Sequence, residues 1–147
     1  MSTSVSHVGI CVSELDRSLR FWCDGLGFVP GPRFEVGSEF AATLEVEPPV
    51  QVVSQFISRD GLTIELLYYA AGGVTGVPSN VRNHLGFTHL SLVVDDVDKV
   101  AAKLVEHGGT RLDSTRSHME GPEGTSSDFV FVADPDGVRI ELMRLGG

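Results

Sequence analysis

Two stretches of the chain, Ser6 to Gly27 and Thr88 to Gly109, carry one pattern at a fixed separation. His7 and His89 lie 82 residues apart, and so do the closing glycines Gly27 and Gly109. Each stretch opens with the alternation of a strand, Val8, Ile10 and Val12 in the first and Leu90, Leu92 and Val94 in the second. Each then changes to helical spacing. Leu15, Leu19, Trp22 and Leu26 form one stripe, and Val97, Val100, Ala101, Leu104 and Val105 the other. Ser13 with Asp16, and Asp95 with Asp98, are the matching N-cap pairs, and glycine stops both helices. A second motif returns as well: Asp60-Gly61-Leu62-Thr63-Ile64-Glu65-Leu66 matches Asp136-Gly137-Val138-Arg139-Ile140-Glu141-Leu142, 76 residues on. The chain is an internal duplication, so its fold must be two copies of one supersecondary unit.

The spacing predicts the elements of each copy. In residues 5–69 it predicts a strand over 5–12, a helix over 14–25 and a strand from near Phe28 to Pro30-Gly31-Pro32 or shortly beyond. A further strand is expected over Phe40 to Glu47, closed by Pro48-Pro49, because Ala42, Leu44 and Val46 alternate with Thr43, Glu45 and Glu47. Strands over 50–58 and 62–69 follow, joined by a turn at Arg59-Asp60-Gly61. Residues 70–86, rich in glycine and with little periodicity, read as a linker. Residues 87–145 repeat the order, with a strand at 87–94, a helix at 96–107 and strands at 110–116, 127–133 and 138–145. Residues 117–127 read as a polar, glycine-rich loop holding His118 and Glu120, either a cover for a site or an exposed hairpin connection. Each copy therefore carries βαβββ, the first with the Phe40 to Glu47 strand besides. The expected fold class is α+β, with two tandem modules in a single domain spanning 1–147.

Charge and cysteine content narrow the function. With 20 acidic against 11 basic residues the formal charge is −9, and only Lys99 and Lys103 are lysines. Such a surface repels phosphate backbones and anionic lipid, which argues against nucleic-acid or membrane partners. No apolar run is long enough to span a bilayer, and no secretory signal is visible. Cys11 and Cys23 have neither disulfide density nor CxxC spacing and read as small buried thiols in a reduced compartment, so the cytoplasm is the default address.

The repeat also places four polar residues. His7 and His89 match on the first strand of each module, and Glu65 and Glu141 match on the last. Side chains alternate across a strand. Ile64, Leu66, Ile140 and Leu142 therefore face the helices, and all four polar residues face away. A carboxylate inside an apolar strand is costly to bury alone, and a bound cation offsets that cost. Two His and two Glu form a nitrogen–oxygen set without thiolate, suited to one divalent ion such as Ni, Co, Mn, Fe or Zn. The other reading makes each His a satisfied core residue and each Glu a solvated one.

These residues carry a resemblance. His7-Val8-Gly9-Ile10 with the helix running to Leu26-Gly27-Phe28, Thr88-His89-Leu90, and Asp134-Pro135-Asp136-Gly137 leading to Ile140-Glu141-Leu142 resemble the vicinal oxygen chelate superfamily. That superfamily includes glyoxalase I, methylmalonyl-CoA epimerase, extradiol dioxygenases and bleomycin-resistance proteins. The resemblance implies paired modules around one metal, usually in a homodimer acting on a small-molecule substrate. It also sorts the chemistry. Extradiol dioxygenases use a 2-His-1-carboxylate triad, whereas here Glu65 fills the fourth place. The retained set is similar to that of glyoxalase I and the epimerases, which move a proton beside a carbonyl as isomerase, epimerase or lyase. Glu141 is then the first candidate for the proton carrier and Glu65 the second. Glu47, at a position resembling that of a second base in the epimerases, is the third. Arg33, Arg82 and Arg139 are candidates to hold an anionic group. The alternative from another class is a drug-sequestering protein of the bleomycin-resistance type, with Phe40, Phe56, Tyr69 and Phe131 lining its cavity.

Overall fold

The computed structural model describes residues 2–146. It holds two compact units, one ending at Gly76 and one beginning at Val77.

In the first unit, β1 (Val8–Cys11) leads to α1 (Leu15–Leu19), which widens into a π-helical turn over Arg20–Gly25. β2 (Val29–Val36), α2 (Ala41–Leu44), β3 (Gln51–Arg59) and β4 (Leu62–Ala71) follow. The sheet order is β1-β4-β3-β2, with β1 parallel to β4 and the other pairs antiparallel. In the second unit, β5 (Leu90–Val93), α3 (Val97–Glu106), β6 (Thr110–Glu120), β7 (Ser126–Ala133) and β8 (Arg139–Arg144) adopt the order β5-β8-β7-β6. β5 and β8 are again the parallel pair. The duplication expected from the sequence is thus present as two four-stranded mixed sheets with few helices.

Each core lies between its sheet and its helix. Ile64 and Leu66 of β4 are buried with Trp22, Phe21 and Leu26. Ile140 and Leu142 of β8 are buried with Ala101, Leu104 and Val97. Apolar area removed from water on these faces, at about 25 cal/mol per Å², is what holds helices this short, which would not form alone. The glycines do local work at two points. Asp60 and Gly61 both have positive φ (50° and 83°), the pattern of a two-residue hairpin turn between β3 and β4. At Asp134–Gly137 the buried Asp134 carboxylate accepts from the N–H groups of Asp136 and Val138 at 3.0 and 2.8 Å and closes the β7–β8 turn.

Several expectations are corrected. Phe40–Glu47 is not a strand: Ser38–Phe40 forms a 3₁₀ turn that runs into α2, which ends at Glu45 with φ 56°. Ala41-Ala42 has high helix propensity, and this stretch does not join the four-stranded sheet. β2 runs to Val36, well past Pro30 and Pro32, because it is an edge strand whose register shifts between Pro30 and Arg33. The freed carbonyl of Gly31 there accepts from the buried Gln55 amide at 3.0 Å. Residues 117–120 are strand, not loop, and Pro122–Gly124 is a single 3₁₀ turn. The caps sit one residue later than expected. Glu14 accepts from the N–H groups of Asp16 and Arg17, and Asp96 from those of Asp98 and Lys99. Cys11 is exposed and Cys23 half-buried. Among the described residues no helix is long and apolar enough to cross a membrane.

Candidate metal-binding residues

The parallel pairing of the first and last strand in each unit sets the polar residues side by side. In the first unit Gly9 pairs with Glu65, which places His7 at the entry of β1 beside that carboxylate. His7 Nε2 stands 3.1 Å from Glu65 Oε2. In the second unit Ser91 pairs with Glu141, and His89 Nε2 stands 3.4 Å from Glu141 Oε2. The four side chains match in exposure, at 34% and 35% for the histidines and 19% for each glutamate. They are reachable from solvent yet largely enclosed.

The surroundings repeat too. The residue before each histidine supplies a hydroxyl to the far ring nitrogen, Ser6 Oγ to His7 Nδ1 at 2.9 Å and Thr88 Oγ1 to His89 Nδ1 at 2.7 Å. Each ring meets a phenylalanine edge-on, His7 with Phe56 and His89 with Phe131, both with centroids 5.2 Å apart and planes at 88°. Hydroxyl and phenyl together fix the imidazole so that Nε2 points to the carboxylate. When the Nδ1 proton is donated to the hydroxyl, the Nε2 lone pair confronts a carboxylate oxygen, an arrangement that calls for a cation between them. An outer partner that orients a histidine in this way is the usual support of a metal ligand.

The distances fit that use. Two adjacent ligands on an octahedral divalent ion, each bonded at about 2.1 Å, lie about 3.0 Å apart. The observed separations of 3.1 and 3.4 Å are close to it. Donor type fits as well, since imidazole and carboxylate suit divalent first-row metals.

The two units differ in how serines hold the glutamates. Ser54 Oγ of β3, a buried side chain, donates to Glu65 Oε1 at 2.5 Å and leaves Oε2 to His7. In the second unit the Ser91 hydroxyl of β5 donates to Glu141 Oε2, the same oxygen that faces His89. Neither serine was found from the sequence. The equivalent positions in the other unit are Phe129 and Gly9, so symmetry gave no signal for them.

The structure thus brings His7 to Glu65 and His89 to Glu141, each within its own unit. Among the described residues no single group of three or more His, Cys, Asp or Glu side chains is gathered at one point. Glu47 lies in exposed coil after α2, and no hydrogen bond or ion pair of the described residues joins it to either pair. Of the candidate aromatic residues, Phe56 and Phe131 stand on the histidines, Tyr69 is half-buried, and Phe40 is 45% exposed. Burial raises the Tyr69 phenol above its ordinary value, with Cys11 and Glu65 adding to the effect.

A second polar cluster lies away from these pairs. Asp128 of β7 accepts from His118 Nδ1 and Arg116 at 2.9 Å each and from Arg144, which together hold its carboxyl far below the usual range. His118 Nε2 also meets Glu120 at 2.9 Å. Its groups neutralise one another, which marks it as an ion-pair network within the sheet.

The family model described as "Glyoxalase/Bleomycin resistance protein/Dioxygenase superfamily" matches residues 4–142. Among curated proteins the chain is similar to "Glyoxylase I 4" of Arabidopsis thaliana, at 29% identity over 95% of this chain and 70% of that one. It is also similar to "Probable lactoylglutathione lyase" of Synechocystis, at 27% identity over 94% and 92%. Among solved structures, a glyoxalase family protein from Bacillus cereus superimposes with a TM-score of 0.80. It is 19% identical and covers 100% of this chain and 97% of that one.

Proposed function

The chain belongs to the glyoxalase/bleomycin resistance protein/dioxygenase superfamily, and we propose that within it this protein is a divalent-metal enzyme that moves a proton beside a carbonyl. The reaction is of the isomerase, epimerase or lyase type, on a small oxygenated substrate. Its two units act as one domain in which His7, Glu65, His89 and Glu141 together hold one ion, in a homodimer. The observation that carries this reading is the repeated His–Glu pair, with the same separation, exposure, hydroxyl and phenylalanine in both units. A chance core histidine has no reason to occur twice with this setting. Relatives named for glyoxalase I and lactoylglutathione lyase support the same class.

The residues divide the work. The two imidazoles, oriented through Nδ1, would offer Nε2 as ligands. Glu65, held at both oxygens by Ser54 and His7, is placed as a fixed ligand. Glu141 takes Ser91 and His89 on one oxygen, Oε2, which leaves Oε1 as the atom to accept and return the substrate proton. Once bound, the ion would supply Lewis-acid stabilisation of the charge that develops on a carbonyl oxygen as its neighbouring proton departs. Glu65 and then Glu47 are the next candidates for the base.

The test is metal content after purification without added metal and after loading. One ion per chain, lost in both His7→Ala and His89→Ala, supports the reading. A chain that takes no ion from solution overturns it. The sequestering alternative is favoured by one feature, the 54% exposed Phe34 standing edge-on to Phe56 at 6.0 Å. A protein that stays metal-free and binds aromatic compounds tightly would establish that role instead.

A further inference from the structure

Of the nine arginines of this chain, four are matched by acid. Arg59, Arg111, Arg116 and Arg144 each pair with an aspartate. In a chain with 20 acidic residues that is the expected fate of a guanidinium. Arg82 and Arg139 are different. Among the described residues neither makes an ion pair; each spends a donor on a main-chain carbonyl, Arg82 Nη1 on Thr88 at 3.2 Å and Arg139 Nη1 on Gly137 at 2.8 Å.

Their position is next to the second His–Glu pair. Arg139 lies two residues before Glu141 on β8 and therefore on the same face of the sheet. One step before the paired residues Leu90 and Ile140 stand His89 and Arg139, so the two lie alongside at the start of β5 and β8. Arg82 reaches the same end from the preceding segment, binding the carbonyl of Thr88, whose own hydroxyl meets the His89 ring. Pro78 of that segment packs at Gly137, which keeps the segment against the start of β8. Two cations thus flank His89, and among the described residues neither is held in an ion pair of its own.

We infer that Arg82 and Arg139 form a subsite for a carboxylate of the substrate, beside His89 and Glu141. Guanidinium groups present paired N–H donors that match the two oxygens of a carboxylate. A doubly charged phosphate is disfavoured by the overall charge of −9, which a monoanion tolerates better. The first unit has no counterpart, since the residue equivalent to Arg139 is Thr63. The substrate is therefore bound with a defined polarity, its anionic end over the second unit and its carbonyl toward the ligand set. The substrate class is a small oxo or hydroxy acid. This assignment rests on the proposed metal site only for where the carbonyl lies; the anion subsite stands or falls separately.

Amide chemical-shift titrations with glycolate, with neutral glycolamide and with inorganic phosphate test it, on metal-free and on Ni²⁺-loaded protein. The expected result is binding of glycolate by the metal-free chain with shifts around Arg139 and His89, and at least tenfold weaker glycolamide and phosphate. Arg82→Gln and Arg139→Gln should each weaken glycolate by about tenfold to a hundredfold, and glycolamide little. Arg139→Lys should keep part of the binding, which separates charge from packing. If Arg139→Gln does not fold, the exposed Arg82→Gln carries the test. Equal binding of acid and amide, unchanged glycolate affinity in Arg82→Gln, phosphate as the preferred anion, or glycolate binding only with Ni²⁺ overturns the subsite. A chain that loads one ion yet ignores glycolate loses the subsite and keeps the metal reading. A chain that takes no ion but prefers glycolate does the reverse.

Discussion

Ser54 donates to Glu65 Oε1 from the neighbouring strand at 2.5 Å, and this leaves Oε2 as the oxygen that meets His7. A buried hydroxyl bound to a charged group stabilises by about 1.5–3 kcal/mol, and it fixes the carboxylate rotamer as well. Ser54→Ala should therefore cost roughly that much stability in urea denaturation. It should also weaken metal binding by about tenfold to a hundredfold, as loss of an outer partner does. Chelator competition reads the second effect. Native metal affinity in Ser54→Ala would show that Glu65 needs no such support.

The proposal of a single domain predicts one unfolding transition. Leu66 and Leu142 are fully buried at positions the repeat makes equivalent. Replacing either with alanine removes about 2–5 kcal/mol. In one cooperative domain each variant lowers the midpoint of the same transition, followed by Trp22 fluorescence and by circular dichroism together. Since Trp22 lies in the first unit, a Leu142→Ala variant with unchanged fluorescence midpoint would mean that the units unfold separately.

The sequence made the strands and the His–Glu pairs legible for the same reason. Alternation along β1, β4, β5 and β8 assigns faces, and the repeat lifts His7, Glu65, His89 and Glu141 out of the background. Where alternation and helix propensity compete, as at Ala41-Ala42-Thr43-Leu44, the alternation misled. The N-caps were displaced by one residue because adjacent residues at both sites, Ser13 and Glu14, Asp95 and Asp96, each carry an acceptor oxygen. β6 extends to Glu120 because Thr115 fills its irregular turn, accepting from Phe131 N–H at 2.8 Å and donating to Leu112 at 2.7 Å. Nothing in a glycine- and proline-rich stretch signals such a tertiary bond. Ser54 and Ser91 were hidden by the very symmetry that revealed the glutamates, since each serves one unit only.

Stability should depend on pH through His118. Its pKa is raised above 6.5 by Asp128 first and Glu120 second, with Arg116 and Arg144 on the far side of Asp128. A raised histidine stabilises the fold fully below its unfolded value, and the contribution is lost as pH rises through the higher folded value. Asp128, lowered mainly by His118, acts in the other direction. Its contribution is present above about 3.8 and is lost as acid carries the pH down toward its folded value. Denaturation midpoints across pH 5–9 should therefore fall over the upper part of that range. His118→Asn should flatten the decline, and an unchanged slope in that variant would place its cause elsewhere.

The homodimer is testable without reference to chemistry. Sedimentation at micromolar concentration should give twice the chain mass. A monomer there would remove the dimer from the proposal and leave the metal reading intact.

Glu141 separates the proton carrier from the ligands. Glu141→Gln keeps an oxygen for the ion and for Ser91 but cannot take up a proton. Metal content should fall modestly, while turnover should drop about a hundredfold to ten-thousandfold, the usual effect of losing an acid–base group. Glu141→Ala should lose more metal, since no oxygen replaces the carboxylate. Glu65→Gln gives the contrast: held by Ser54 and His7, Glu65 acts as a ligand, so its amide should weaken metal binding and slow turnover only in proportion to the metal lost. The readout is metal content beside exchange of the substrate proton with deuterated solvent, using small 2-oxo and 2-hydroxy acids on the metal-loaded chain. A Glu141→Gln protein that holds its ion and exchanges at the native rate would remove Glu141 from the proton path. Glu65, fixed at both oxygens, would then have to be freed by Ser54→Ala before it served as the base, and exposed Glu47 would be the next to test.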